Sequence, residues 1–432
     1  MSPGLEKESS LYKYLFKMIF QSVEIIQNNR KGLHIIELTV IILISFFYTN
    51  FEIQSSFLIP ATLLTTAYAL YFGIKDAKLR KIAWGVVIGV SILSLMYLFL
   101  TDTQSVGDVS NRELKRFFSK YGQYMFMFFP VLMFYRTILL ATKRQIMIIL
   151  LVILTNSLIV ANVAIQAASI NAEILHTFDQ AAMEDVGLSF AGYYFVYAFT
   201  FLVLTGFIGY KYGSDKKIKY VSLALALFSF YFLIKAQFAL SVVTTVASLV
   251  YFYNVTARGK SKGVLVIFFT IVFLLLLPLI IKFVVSISSS RILNDRLMEV
   301  YDGLTGENTT NGSDGQGRLE LYWMTIQAFL SSPIVGNRTL PADGHATFLT
   351  LPADIGIFGA FILYKLIKNL SSLIMDMMGD KSIFFKPLLF QIILMGFTNP
   401  IHSSPSIYIY LFYFCPIVII LYVNNKIIPN HL

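Results

Sequence analysis

Cysteine is almost missing: Cys415 is the single one in 432 residues, and it sits in an apolar run. That excludes an internal disulfide and any metal site built from several cysteines. Charge is scarce as well. Charged residues make up 13% of the chain, against roughly 25% in a soluble domain. With 56% hydrophobic and 15% aromatic residues and a mean hydropathy of +0.70, the composition is that of an integral membrane protein. No cleavable signal peptide precedes the first apolar run, and no internal repeat is visible. No Asp-x-Asp pair occurs, so metal-assisted transfer from a nucleotide sugar has no obvious site. The run Arg258 to Ser261 lacks the upstream glycine of a phosphate-binding loop, because Asn254 stands there. Gly312, Gly315 and Gly317 are spaced as turns, not as a dinucleotide fingerprint.

What the chain does have is long apolar runs. At roughly 20 residues per crossing they amount to about twelve spans, at 33–49, 54–74, 82–100, 124–141, 146–166, 191–210, 220–234, 239–254, 264–285, 352–364, 387–399 and 405–423. Two amphipathic stretches read as helices lying at the lipid surface. One is 10–29. The other places Leu114, Phe117, Phe118 and Tyr121 on one face. The expected fold is therefore all-α and polytopic, a single integral membrane domain over 1–432.

The net charge of +10 has a membrane explanation and implies no nucleic-acid partner. Most Lys and Arg fall in short loops such as 75–81, 211–219 and 256–263, whereas the connection 167–190 carries Glu173, His176, Asp179, Glu184 and Asp185 and no Lys or Arg. The positive-inside bias puts the basic loops and both termini in the cytoplasm. The polar stretch 286–350 then faces outward.

That outer loop concentrates the candidate chemistry. Arg318 opens an apolar stripe of Leu319, Tyr322, Ile326 and Leu330, which predicts a helix ending at Ser331-Ser332-Pro333. Arg318 is either a basic residue at the end of an interfacial helix or an anion site. An arginine fork can hold two phosphate oxygens, at about 1.5–3 kcal/mol per charge-assisted bond. Arg291, Arg296 and Arg338 share the loop, enough for a diphosphate. His345 stands between glycine turns and arginines; it is a structural histidine or a general base. His402 is a weaker candidate for the same role. Lys235, between two spans, either snorkels to the outer interface or binds an anion there.

The run from Gly317 to Tyr364 resembles the signature of the O-antigen polymerase and ligase superfamily of bacterial membranes. The matching pieces are Gly317-Arg318, an aromatic at Trp323, Pro333 to Gly336, His345 at the start of a span, then Asp354 and Gly356. One piece departs: family members often carry Ser-Arg-Gly where this chain reads Lys235-Ala236-Gln237-Phe238. Ala346-Thr347 after the histidine is closer to polymerases than to ligases.

The resemblance implies a GT-C-like glycosyltransferase that joins undecaprenyl-diphosphate-linked oligosaccharides at the outer face of the cytoplasmic membrane. His345 would be the base, and Arg318, Arg291, Arg296, Arg338 and Lys235 would bind the diphosphate. No metal or other cofactor is implied, and a chain-length regulator and a flippase are the protein partners. A ligase, or a flippase for lipid-linked sugars, is the alternative. A transporter is expected to show internal repeats or charges paired within spans.

Overall fold

The structure, a computed structural model, describes residues 32–50, 55–75, 77–99, 109–170, 193–236, 239–256, 314–336, 346–398, 401 and 404–423, with single positions between 278 and 301. Among the described residues the regular structure is helical, apart from one isolated antiparallel bridge between Gly213 and Val423. The helices are α1 (Ile35–Asn50), α2 (Ser55–Lys75), α3 (Ala77–Phe99), α4 (Val109–Leu140), α5 (Lys143–Ile170) and α6 (Tyr193–Tyr212). They continue as α7 (Lys216–Lys235), α8 (Ala239–Thr256), α9 (Asp314–Ser331), α10 (Thr347–Met378), α11 (Lys386–Thr398) and α12 (Pro405–Tyr422).

Within α3, α4, α5, α6, α7, α10 and α12 lie seven segments long and apolar enough to cross a membrane; α1, α8 and α11 are apolar but shorter. The chain is thus an α-helical membrane protein. Helices apolar on every side suit lipid, because the backbone groups are satisfied internally and the side chains match the solvent. The expected span at 264–285 lies almost wholly outside the described residues, as does the surface helix at 10–29.

Two boundaries differ from the sequence reading. The surface helix around 114–121 and the span at 124–141 are one continuous helix, α4. Phe117 stacks on Tyr121 at 5.9 Å, and the Tyr121 hydroxyl accepts from Thr66 of α2 at 3.3 Å, so the segment is packed as an extension of the span. The span expected at 352–364 runs from Thr347 to Met378. Lys365 and Lys368 lie inside it, not in a following loop. Their ammonium groups rest over the rings of Phe361 and Tyr364, at 5.2 and 5.9 Å. A long aliphatic stem lets a lysine stay on an apolar helix this way. Gly379, at φ 56°, ends α10.

The core is built on α4, α6 and α12. Of the Phe195–Tyr212 window 83% is buried, against 22% for Lys216–Lys235 of the outer helix α7. The α6–α7 pair is close because Gly206 and Gly209 face Ser222 and Ala226. A Cβ on Gly206 would lie 2.6 Å from the Ser222 carbonyl oxygen. Small residues of this kind let membrane helices approach by their backbones.

One end of the bundle is tied together by polar contacts. Gln145 clamps Leu33, accepting from its N–H at 2.9 Å and donating to its carbonyl at 2.8 Å. Ser214 N–H donates to Tyr422 O at 2.9 Å, and Lys381 Nζ donates to Ile420 O at 2.6 Å. The beginnings of α1, α5 and α7 and the ends of α6 and α12 therefore share this end. It also carries Lys143, Arg144, Lys211, Lys216, Lys217 and Lys219.

Candidate functional site

Helix α10 is broken. Gly356, at φ 63° and ψ −176°, separates a first half, Thr347 to Ile355, from the longer second half. At such a break the next N–H groups lose their partners one turn back. A buried N–H left unpaired is costly. Here Ile357 N–H donates to Pro333 O at 2.8 Å and Phe358 N–H to Ile334 O at 3.3 Å. The acceptors belong to the turn after α9. Pro333 has no N–H with which to continue that helix. Gly336, at φ 91°, closes the turn by donating to Ser332 O at 2.9 Å. The result is a clasp of two backbones. Non-helical backbone at membrane depth is tolerated where it is packed against protein or lines a cavity.

The first half of α10 is held on its other side by α11. A Cβ on Gly396 would lie 2.5 Å from the Phe348 ring, and Phe348 meets Phe397 edge-on at 5.2 Å. Thr347, Thr350 and Ala353 are buried, and Asp354 is half-buried just before the break. Ala346 is the N-cap of α10 and is itself buried.

The clasp joins two pieces of the sequence signature, Pro333–Gly336 and Asp354–Gly356. Of the residues expected to do chemistry, Arg318 lies on α9, which begins earlier than expected, at Asp314, and its side chain is outside the described residues. Trp323, the signature aromatic, is exposed on the same helix. His345, Arg291, Arg296, Arg338 and His402 lie outside the described residues. Lys235 ends α7 and is exposed, its Nζ 5.9 Å from the Tyr231 ring centre. Helix α7 packs on α5, α6 and α8, whereas α9 packs on α10. Lys235 therefore stands on a different part of the bundle from the clasp.

A second polar site was only half visible in the sequence. Arg136, within the span expected at 124–141, makes a two-point contact with Glu37: Nε to Oε1 at 2.9 Å and Nη2 to Oε2 at 3.0 Å. The Tyr68 hydroxyl donates to the same Oε1 at 2.9 Å. Three helices, α1, α2 and α4, are joined there. Next along α4, Thr137 Oγ1 shares a hydrogen bond with the Tyr413 hydroxyl of α12 at 3.0 Å. Charges within a membrane mark function or a specific lock, provided they are paired. The missed signal was the single acid in the first apolar run, which needed a partner of opposite sign. Farther along, Tyr410 pairs with Ser157, and Gln391 of α11 bridges Ser248 and Thr244 of α8. No protein-family model matches this chain, and no curated protein is significantly similar to it.

Proposed function

We propose that the protein is a polysaccharide polymerase that joins undecaprenyl-diphosphate-linked oligosaccharide repeat units at the outer face of the cytoplasmic membrane. The observation that supports this most is the clasp. The resemblance relates Pro333–Gly336 to Asp354–Gly356 only by spacing, and in the fold the two segments lie backbone against backbone, with Ile357 and Phe358 just after them donating to Pro333 O and Ile334 O. The reading rests on the resemblance, and the clasp is compatible with it by giving these two stretches a shared structural role.

In this reading a hydroxyl oxygen of the incoming lipid-linked unit attacks the anomeric carbon of the growing chain. The bond from that carbon to the diphosphate oxygen breaks, and the diphosphate leaves with the electron pair. His345, which precedes the α10 cap Ala346, takes the hydroxyl proton. Arg318 with Arg291, Arg296 and Arg338 stabilises the departing diphosphate. The inverting, GT-C-like course and the twelve-span layout belong to the same proposal.

A flippase for lipid-linked sugars is the second reading. The observation favouring it is the Glu37–Arg136 pair, a charge pair within spans of the kind a transporter uses.

One assay separates them. Purified protein is given lipid-linked repeat units, and product length is followed on a gel. The polymerase reading expects longer chains from the wild type and none from His345→Ala, with substrate binding retained. A wild type that yields no longer chains, and transfers no glycan to a second acceptor as a ligase would, leaves the flippase.

A further inference from the structure

The lysine-rich end of the bundle contains a feature that the proposed reaction does not use. At the end of α6, Lys211 Nζ lies 4.3 Å from the ring centre of Tyr253, 5.1 Å from Tyr212 and 5.4 Å from Phe252. Its one hydrogen-bond partner among the described residues is Thr256 Oγ1, at 3.5 Å. A few residues on, α7 opens with Lys216, Lys217 and Lys219. Cations are disfavoured at a helix N-terminus, where the peptide dipoles already concentrate positive charge. The nearest acid in the chain, Asp215, has its carboxylate engaged as the N-cap, accepting from Ile218 N–H at 2.9 Å. None of the four lysines makes an ion pair among the described residues. Asp380, in the 379–384 turn that packs on Tyr212 and Phe252, also lies at this end but forms no ion pair with these lysines, so positive charge predominates here.

Depth is marked by tyrosines. Tyr220 is 68% exposed and Tyr253 is 43% exposed. Exposed rings on membrane helices gather at the headgroup level. Tyr220 lies one helical turn inward from Lys216 and Lys217, so these lysines reach the height of lipid phosphates. Ammonium groups at that height, free of ion pairs among the described residues and flanked by interfacial rings, fit one partner class.

We propose that the α6–α7 turn and the end of α8 bind the phosphate of an anionic phospholipid in the leaflet that meets this end, through Lys211, Lys216, Lys217 and Lys219. The site depends on α6 and α7 crossing the membrane, not on the polymerase reading. Each lysine near an anionic lipid surface contributes about a fivefold factor in binding. Three together therefore contribute up to about 100-fold.

The test is native mass spectrometry of the full-length protein from mixed micelles holding phosphatidylglycerol and phosphatidylcholine. Wild type should retain phosphatidylglycerol with a preference of about tenfold or more. The triple variant Lys216→Gln, Lys217→Gln, Lys219→Gln should fall to near parity, and the corresponding triple arginine variant should keep the preference. Lys143→Gln with Arg144→Gln, which removes exposed charge from the same end, should leave it unchanged. Melting temperature in detergent checks that each variant is folded. Equal retention of the two lipids by wild type overturns the proposal. So does an undiminished preference in the triple glutamine variant, or an equal loss in the Lys143/Arg144 variant, which would make the effect one of general surface charge.

Discussion

Gly336 and Gly356 each press on the opposite backbone of the clasp, Gly336 on Asp354 and Gly356 on Ile334, and neither can carry a side chain. A Cβ on Gly336 would lie 2.2 Å from Asp354 O, and one on Gly356 would lie 2.2 Å from Ile334 O. Both have positive φ. Gly336→Ala and Gly356→Ala should each destabilise the protein by at least about 1–3 kcal/mol from backbone strain alone. Gly85→Ala is the control: its Cβ would meet nothing within 4 Å, and alanine favours the helix. Thermal unfolding in detergent should rank Gly85→Ala at or above wild type and both clasp variants below it. A clasp variant melting with wild type would show that the two backbones are not in contact.

The ion pair gives a second prediction. Arg136→Met leaves Glu37 buried with an unmatched charge and should cost about 3–5 kcal/mol, whereas the double variant Glu37→Leu, Arg136→Met should recover most of it. Tyr68→Phe removes one of three donors to the carboxylate and should cost about 1 kcal/mol. Unfolding of wild type, Glu37→Leu, Arg136→Met and the double variant closes the cycle. A double variant as unstable as the single one would mean that the pair does more than hold α1, α2 and α4 in register.

Gln145 provides a third. Its amide uses the carbonyl oxygen for Leu33 N–H and Thr142 N–H and the amino group for Leu33 O. Gln145→Glu keeps the acceptors and loses the donor, and should weaken the start of α1 by about 1 kcal/mol or more. Amide hydrogen exchange at the beginning of α1 should quicken in this variant. Unchanged exchange would dismiss the clamp.

For the chemistry, Arg318→Lys should be nearly as inactive in chain elongation as Arg318→Ala, because a point charge does not replace a two-point fork. Elongation should also fall as the pH is lowered, since a general base such as His345 must be neutral to accept a proton. A rate that holds at low pH removes the base role from His345, and an Arg318→Lys enzyme with full activity removes the two-point anion role from Arg318.

The helices were readable because membrane spans are written as composition: any run of Leu, Ile and Phe of sufficient length yields one. The helix at α9 and its stop at Pro333 were readable for a local reason too, an apolar stripe followed by a residue that cannot donate. The break at Gly356 was not. Glycine inside an apolar helix is common, and only contact with the Pro333–Gly336 turn gives this one a reason to leave helical geometry. The Glu37–Arg136 pair was hidden for the same reason, since its partners are far apart in the chain. Lys365 and Lys368 resemble the end of a span in sequence, where charge marks a boundary, whereas rings one turn away hold both within α10.

Helix α12 follows every other described helix in the chain, yet it packs among α1, α4 and α6 and supplies Tyr410 and Tyr413 to partners on α5 and α4. A ribosome releases it after its neighbours are already in the bilayer. Those neighbours must wait side by side, with Ser157 and Thr137 still unpaired by it, until the last helix arrives to fill the middle. Assembly of this bundle is thus gated by the arrival of α12 and cannot finish as its earlier helices enter the membrane.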